Sequence, residues 1–149
     1  MKKIALFISL SLLLISCGSI KSSIKNVDNN APVPVVKNGA FVITNYSKDK
    51  KYGYDKDYPV NIFYRGTKND TINQKYFLNA LSGPKGEKLT YTKLENCCPF
   101  PTKNSDTGAG FLDVYELKWQ GLKTPLKLYI NIYERGQLMV PVGLGLKKM

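Results

Sequence analysis

The sequence predicts an α+β fold: a single small domain in which an antiparallel sheet of about five to six strands carries one main helix on one face. Apolar residues recur at helical spacing in one segment, and several other segments alternate between apolar and polar residues as strands do. Short turns join most of these segments. About 111 residues, 39–149, are available to the domain, which is enough for one hydrophobic core.

The helix is predicted from about Thr71 to Ser82. Thr71 and Gln74 have the spacing of a capping box, in which the two side chains satisfy the free amides of the first turn. Gly83 and Pro84 predict the end of the helix, because glycine accepts a left-handed conformation and proline cannot continue the turn. The apolar face of this helix consists of Ile72, Tyr76, Phe77, Ala80 and Leu81.

The clearest strand is predicted at residues 126–133, where leucine and isoleucine alternate with lysine, tyrosine and asparagine. Residues 111–119 are its predicted partner across a loop at 120–125, which makes an antiparallel hairpin. Further strands are predicted at 40–46, 60–64, 88–93 and 137–142.

The N-terminus predicts export and lipidation. Residues 1–3 are basic, and the apolar run 4–15 is shorter than the roughly 20 residues that a membrane-spanning helix needs. Residues 14–17, Leu-Ile-Ser-Cys, resemble a bacterial lipobox, which implies that the Cys17 thiol receives a diacylglyceryl group and that cleavage falls before it. Residues 1–17 are therefore predicted to be a lipoprotein signal peptide ending at lipidated Cys17. The other interpretation is an ordinary signal peptide with a coincidental cysteine.

The residues after Cys17 predict where the protein resides. They read GSIKSS and lack the acidic residues that resemble a surface-export signal in some Bacteroidota lipoproteins. We therefore expect a lipid-anchored protein of the cell envelope, on the outer membrane and facing the periplasm. Residues 18–38 are rich in Ser, Asn, Lys and Pro without periodicity, which predicts a flexible tether of at most about 70 Å. The globular domain then spans residues 39–149.

The charge of the chain favours anionic partners. Without the first 17 residues, 20 basic residues face 11 acidic ones, a formal charge of +9. Such an excess suits phospholipid headgroups, lipopolysaccharide phosphates or peptidoglycan carboxylates. Because the lysines are spread along the chain, a solvated surface is the simpler interpretation. The expected partners are the membrane, through the lipid anchor, and an anionic envelope component or a protein. Nucleic acid is not expected, since no motif for it is present.

The sequence predicts no catalytic site. It contains no histidine, which excludes Ser-His and Cys-His nucleophiles and imidazole metal ligands. The run Gly108-Ala109-Gly110 lacks the spacing of a phosphate-binding loop. Asp113 and Glu116 lie three apart in a predicted strand and therefore point to opposite faces. We expect a non-enzymatic protein with no cofactor and no metal site. The third interpretation, after a redox-responsive protein, is an enzyme whose polar cleft gathers carboxylates or lysines from distant parts of the chain.

Cys97 and Cys98 are adjacent and lie next to Pro99 and Pro101. Consecutive Cα atoms are closer together than those of ordinary disulfides, so a bond between these cysteines would be strained. The prolines indicate an irregular segment in which the two thiols can meet. We expect two reduced, partly buried thiols, with a vicinal disulfide or an intermolecular bridge as the other interpretations. A vicinal disulfide would suit a redox-responsive protein.

Five tyrosines mixed with lysines and aspartates lie within nineteen residues: Tyr46, Tyr52, Tyr54, Tyr58 and Tyr64. Tyrosine is apolar with one polar end, so this group is a candidate surface for stacking on sugars or for a protein interface. The simpler interpretation is a solvated turn whose rings cover the edge of the core.

Several motifs resemble those of a family of small Bacteroidota lipoproteins whose function is not established, from about residue 52 to the end. They are YGY at 52–54, FLNALSGP at 77–84 with GE at 86–87, CCPF at 97–100, LDVYE at 112–116, GL at 121–122 and LYINIY at 128–133. Members often carry an automatic label of 2-dehydro-3-deoxyphosphooctonate aldolase, a cytoplasmic (β/α)8 barrel. Such barrels need at least ~200 residues, so this label does not suit a domain of about 111 exported residues. The resemblance implies that CCPF and LYINIY are characteristic of the family and assigns neither a role.

Overall fold

The structure is a computed structural model of the chain and describes residues 22–63 and 70–148, without the side chains of residues 70 and 71. The described part contains eight strands and one helix. In chain order these are β1 (Val36–Lys37), β2 (Ala40–Phe41), β3 (Val60–Asn61), α1 (Asp70–Ala80), β4 (Leu81–Ser82), β5 (Thr90–Pro101), β6 (Ala109–Lys118), β7 (Leu126–Asn131) and β8 (Gly145–Leu146).

The strands form three sheets, so the predicted single antiparallel sheet of five to six strands is wrong. The largest sheet has four strands in the order β3-β7-β6-β5 and is mixed, because β3 runs parallel to β7. β1 pairs with β2, and β4 pairs with β8, in two small antiparallel sheets. The strand predicted at residues 40–46 is only two residues long in the structure, where it is β2. The strand predicted at residues 137–142 is absent from the described structure, apart from an isolated bridge between Tyr46 and Val140. Alternation shows which residues are buried but does not specify their partners.

The predicted hairpin is confirmed. β6 and β7 are antiparallel, with Tyr115 opposite Leu128 and Asp113 opposite Ile130. These four side chains share the face of the sheet that is covered by α1 and the loops, and all four are buried. The same core contains the largest fully buried side chains, including Tyr52, Phe77, Leu78, Leu117, Val60 and Val140.

Helix α1 is confirmed, but the capping interactions predicted at its two ends are wrong. The Gln74 side chain does not cap the first turn, because it bonds to Asp113 and Tyr115 in the sheet. The helix ends at Ala80, and the chain enters β4 directly. Gly83 has no positive φ; instead, a Cβ at Gly83 would lie 3.0 Å from Trp119 Cδ1. The helix packs on β2 as well as on the large sheet. The rings of Phe41 in β2 and Tyr76 in α1 meet edge to face with their centres 5.5 Å apart. No helix within the described residues is long and apolar enough to cross a bilayer.

Residues 22–38, for which the sequence predicts a flexible tether, lie against the domain. Ile24 is buried with Phe100 and Leu112 on the face of the sheet opposite α1. The Lys25 amide donates to Asp57 O at 2.9 Å, and the Asn61 side-chain amide donates to Lys25 O at 2.9 Å. Residues 22–31, here called the N-terminal segment, therefore pack on part of the second face of the four-stranded sheet.

Candidate functional site

The best candidate site is a groove formed by two adjoining cavities of about 380 and 340 Å³. The two cavities share Asn79 and Lys147 as lining residues, and together they are here called the lysine groove. Its walls come from the end of α1, the β4–β5 loop, the β1–β2 turn and the C-terminal residues. The first cavity is lined by Leu78, Asn79, Leu81, Ser82, Gly86, Glu87, Lys88, Leu89, Tyr91 and Lys147, and the second by Lys37, Asn38, Ala40, Asn79, Lys147 and Lys148.

Asn79 and Lys147 hold the walls of the lysine groove together. The Asn79 side-chain amide donates to Gly39 O at 3.0 Å, and its carbonyl oxygen accepts the Tyr91 hydroxyl at 3.0 Å. The Lys147 backbone amide donates to Ala80 O at 2.8 Å, which fixes the C-terminal residues beside the end of α1. Three segments that are distant in sequence are thus locked around one cavity by ordinary hydrogen bonds.

The charged side chains that line the lysine groove are mostly basic. It contains four lysines and one carboxylate: Lys37, Lys88, Lys147, Lys148 and Glu87. Within the described part of the chain, none of these four ammonium groups has a carboxylate within 4.0 Å. Uncompensated charges in a concave site focus the field and concentrate anions there.

The two halves of the lysine groove differ in chemistry. The lysine half contains Lys37, Lys147 and Lys148. The floor and wall of the apolar half consist of Leu78, Leu81, Leu89 and Tyr91, of which Leu89 and Tyr91 are only half-buried and offer contact area.

A further cavity of about 320 Å³ lies between the N-terminal segment and the turn after β7. Its polar side chains mostly bond to neighbouring parts of the protein. The Asn104 side-chain amide donates to Tyr133 O at 2.9 Å and to Glu134 Oε2 at 3.1 Å. Arg135 Nη1 donates to Asn29 O at 3.2 Å. These bonds tie the N-terminal segment to the domain, so we interpret this cavity as structural.

A buried polar network around Asp113 was not predicted from the sequence. Asp113 is only 2% exposed, and its carboxylate accepts the side-chain amides of Gln74 and Asn96 and pairs with the Lys93 ammonium at 2.7 Å. Tyr115 donates its hydroxyl to Gln74 Oε1. Burial, and secondly the Asp113 charge, raises the pKa of Tyr115 to about 12. The network lies between α1 and the sheet, so its role is to join the two elements.

The predicted tyrosine surface is divided by the structure. Tyr52 is fully buried in the core, where its hydroxyl accepts the Met139 amide, so it cannot contact a ligand. Tyr58 packs edge to face on Tyr52 at 5.3 Å. Tyr54 is half-buried and donates to Val142 O, and burial raises its pKa to about 12. Tyr46 is 56% exposed, and Tyr64 lies outside the described residues. Tyr52 lies in the core and Tyr54 and Tyr58 at its edge, so the four described tyrosines form no shared stacking surface.

Cys97 and Cys98 form a vicinal disulfide in the structure, in place of the two free thiols that the sequence favoured. Their Cα atoms are 3.7 Å apart, and Cys98 adopts a positive φ of 56°. The pair lies at a bulge in β5, where the register with β6 shifts between Cys97 and Phe100. Both cysteines are half-buried, and Cys98 packs against the cluster that holds Ile24.

Two further predictions concern lipid and metal. Cys17, the predicted lipidation site, lies outside the described residues. Within residues 22–63 and 70–148, no group of three or more Cys, Asp or Glu side chains could hold a metal ion.

Comparison of the chain with protein-family models, curated proteins and solved structures gives no match. The function must therefore be argued from the lysine groove and the cysteine pair.

Proposed function

We propose that this protein is a lipid-anchored, non-enzymatic protein of a bacterial cell envelope that binds an anionic ligand in the lysine groove. The observation that carries this proposal is the concave site with four lysines and one carboxylate. The lipobox-like sequence that ends at Cys17 supports the envelope location, on the outer membrane and facing the periplasm.

The ammonium groups of the lysine groove suit an anion because no carboxylate of residues 22–63 and 72–148 lies within 4.0 Å of them. Exposed lysines are commonly solvated, but those in a concave wall create a local potential that a flat surface does not. Glu87, the one carboxylate of the groove, already accepts the Lys85 backbone amide at 2.8 Å. A bound anion would therefore gain from several ammonium groups and meet one partly satisfied carboxylate.

The chemical groups of the lysine groove support binding rather than catalysis. Its two hydroxyl groups are already bonded: Ser82, which is 2% exposed, donates to Gly83 O at 2.9 Å, and Tyr91 donates to the Asn79 side-chain oxygen at 3.0 Å. A catalytic hydroxyl needs a base within hydrogen-bond reach, and the chain contains no histidine to supply one.

Charge removal with a matched control tests the proposal. The full chain in phosphatidylcholine nanodiscs would be titrated with pyrophosphate by calorimetry. The triple variant Lys37→Gln, Lys147→Gln, Lys148→Gln should bind at least ~10-fold more weakly, because each lost ammonium contributes about 0.5–1 kcal/mol.

The control triple variant is Lys48→Gln, Lys50→Gln, Lys123→Gln, which removes the same charge from exposed positions outside the lysine groove. We expect it to change the affinity less than ~2-fold. Equal weakening in both variants would mean that net charge alone attracts the anion, and the proposal would fail.

A redox response is a second candidate function, favoured by the bonded sulfurs of Cys97 and Cys98. A dithiol reductant would break the S–S bond and deliver two electrons and two protons, which gives two thiols here and a disulfide in the reductant. Since Cys98 packs on the cluster of Ile24, Phe100 and Leu112, reduction is expected to loosen the N-terminal segment.

Limited proteolysis of the full chain tests this second function. Reduction should speed cleavage within residues 22–31, whereas cleavage of the double variant Cys97→Ser, Cys98→Ser should not respond to the reductant. An identical digestion pattern before and after reduction would reject the redox response.

A further inference from the structure

We infer that the ligand of the lysine groove is a membrane lipid with a phosphate monoester headgroup: the phosphate lies in the lysine half and the adjoining hydrocarbon in the apolar half. This inference rests on the proposed function and narrows it from any anion to one chemical class.

The lysine half selects for a compact, doubly charged anion. Lys37, Lys147 and Lys148 line one cavity of about 340 Å³. Lysine acts as a point charge and binds phosphate without the fixed fork geometry by which arginine recognises a carboxylate. Three ammonium groups around one cavity are better balanced by a phosphate monoester, which carries close to two charges, than by a single carboxylate.

The apolar half selects for hydrocarbon next to that phosphate. Leu89 and Tyr91 are half-buried and face the same cavity as the buried Leu78 and Leu81. The uncharged polar side chains nearby already have partners, since Asn79 bonds to Gly39 O and Tyr91, and Ser82 bonds to Gly83 O. Besides Lys88 and Lys147, this cavity therefore offers a ligand apolar contact area, and burying that area is favourable.

The length of chain before the domain places the domain close to a source of such lipids. Ser22 follows the predicted lipidation site Cys17 by five residues. Five residues span at most about 18 Å. With the N-terminal segment packed on the domain, the domain is held next to the headgroups and not at the end of a 21-residue tether.

Trp119 provides the readout for the test. It is the one tryptophan of the chain and lies beside Gly83, where an added Cβ would be 3.0 Å from Trp119 Cδ1 and 2.5 Å from Glu87 Oε2. Since Glu87 lines the lysine groove, ligand entry should alter the fluorescence of Trp119. The full chain in phosphatidylcholine nanodiscs would be titrated with hexyl phosphate, inorganic phosphate, hexanoate and hexanol.

We expect hexyl phosphate to bind at least ~10-fold more tightly than each of the other three probes. Leu89→Gln should weaken hexyl phosphate binding several-fold and leave inorganic phosphate binding unchanged. Its matched control is Leu94→Gln, an exposed position on β5 outside the groove, which should change neither. Phosphatidic acid added to the nanodiscs should compete with hexyl phosphate.

The other outcomes separate this inference from the proposed function. Equal affinity for hexyl phosphate and inorganic phosphate would overturn the inference and leave anion binding intact. Equal affinity for hexanol would also overturn it, because the phosphate would then contribute nothing, and equal affinity for hexanoate would overturn it because the site would not prefer phosphate to a carboxylate. Failure of phosphatidic acid to compete would reject a bilayer lipid as the ligand. If none of the anions binds, the proposed function fails and the inference fails with it.

Discussion

Tyr115 donates its hydroxyl to the side-chain oxygen of Gln74, although the two residues are 41 positions apart in the chain. The nitrogen of the same Gln74 amide donates to Asp113. One helix side chain thus bonds to two neighbouring positions on the same face of β6, and α1 is held to the sheet by polar as well as apolar contacts. Buried polar groups joined in this way specify one arrangement of two elements, because any shift leaves a donor or acceptor without a partner.

The Asp113 network predicts that Asp113→Asn destabilises the protein by about 1–3 kcal/mol. An asparagine retains the shape of the side chain, but its amide replaces one acceptor by a donor that faces the donors of Gln74, Asn96 and Lys93. Urea unfolding of the full chain would measure the change. Asp106→Asn is the control, because Asp106 is exposed, and it should stay within about 0.5 kcal/mol. Equal stability of the two variants would contradict the network.

The raised pKa values of Tyr54 and Tyr115 predict a loss of stability at high pH. Burial raises both values to about 12, so the folded protein favours the neutral phenol. The stabilisation is complete below the unfolded pKa of about 10 and is lost as the pH rises through about 12. Unfolding free energies measured between these limits should fall, and Tyr115→Phe should make the decline shallower. An unchanged decline in this variant would show that other groups cause it.

Substitution of Gly136 tests whether the N-terminal segment packs against the domain. A Cβ at this position would lie 2.1 Å from the backbone oxygen of Asn26, so only glycine allows the segment to pass this closely. Gly136→Ala should therefore displace the segment and speed hydrogen exchange at the amides of Lys25 and Asp28, which bond to Asp57 O and Arg135 O. Amides of the β5–β6 pairing serve as the internal reference. Unchanged hydrogen exchange at Lys25 and Asp28 would indicate that the N-terminal segment does not pass close to Gly136.

The disulfide predicts the result of alkylation under denaturing conditions. With Cys97 and Cys98 bonded to each other, the monomeric full chain should take no label on this pair before reduction and two labels after it. Intact mass and peptide mapping would count the labels. Two labels without reduction would mean free thiols, and a dimer that dissociates on reduction would mean an intermolecular bridge.

Local periodicity was sufficient to predict α1 and the β6–β7 hairpin, because each depends on residues close in sequence. It could not predict that Val60 pairs with Ile130 between the parallel strands β3 and β7, since many other apolar residues of the chain would fit beside Ile130 equally well. The tyrosines show the same limit: Tyr52 and Tyr54 are two positions apart, yet one is in the core and the other at its edge.

The lysine groove lay beyond prediction for a similar reason. Lys37 and Lys147 are 110 positions apart, and only the β1–β2 turn and the C-terminal residues, folded against the end of α1, bring them to one cavity. The adjacent Lys147 and Lys148 were the one local signal, and two neighbouring lysines are ordinary on a solvated surface.

The bulges and prolines of β5 have a consequence for crowding on the membrane to which we propose that the protein is anchored. β5 is an outer strand of the four-stranded sheet, and an outer strand can recruit a strand from another molecule. Its register shifts twice, and Pro99 and Pro101 lack the amide hydrogen that such recruitment needs. At the other edge, β3 is only two residues long. Many copies can therefore be concentrated in one plane without stacking edge to edge, and the Cys97–Cys98 bulge contributes to that protection.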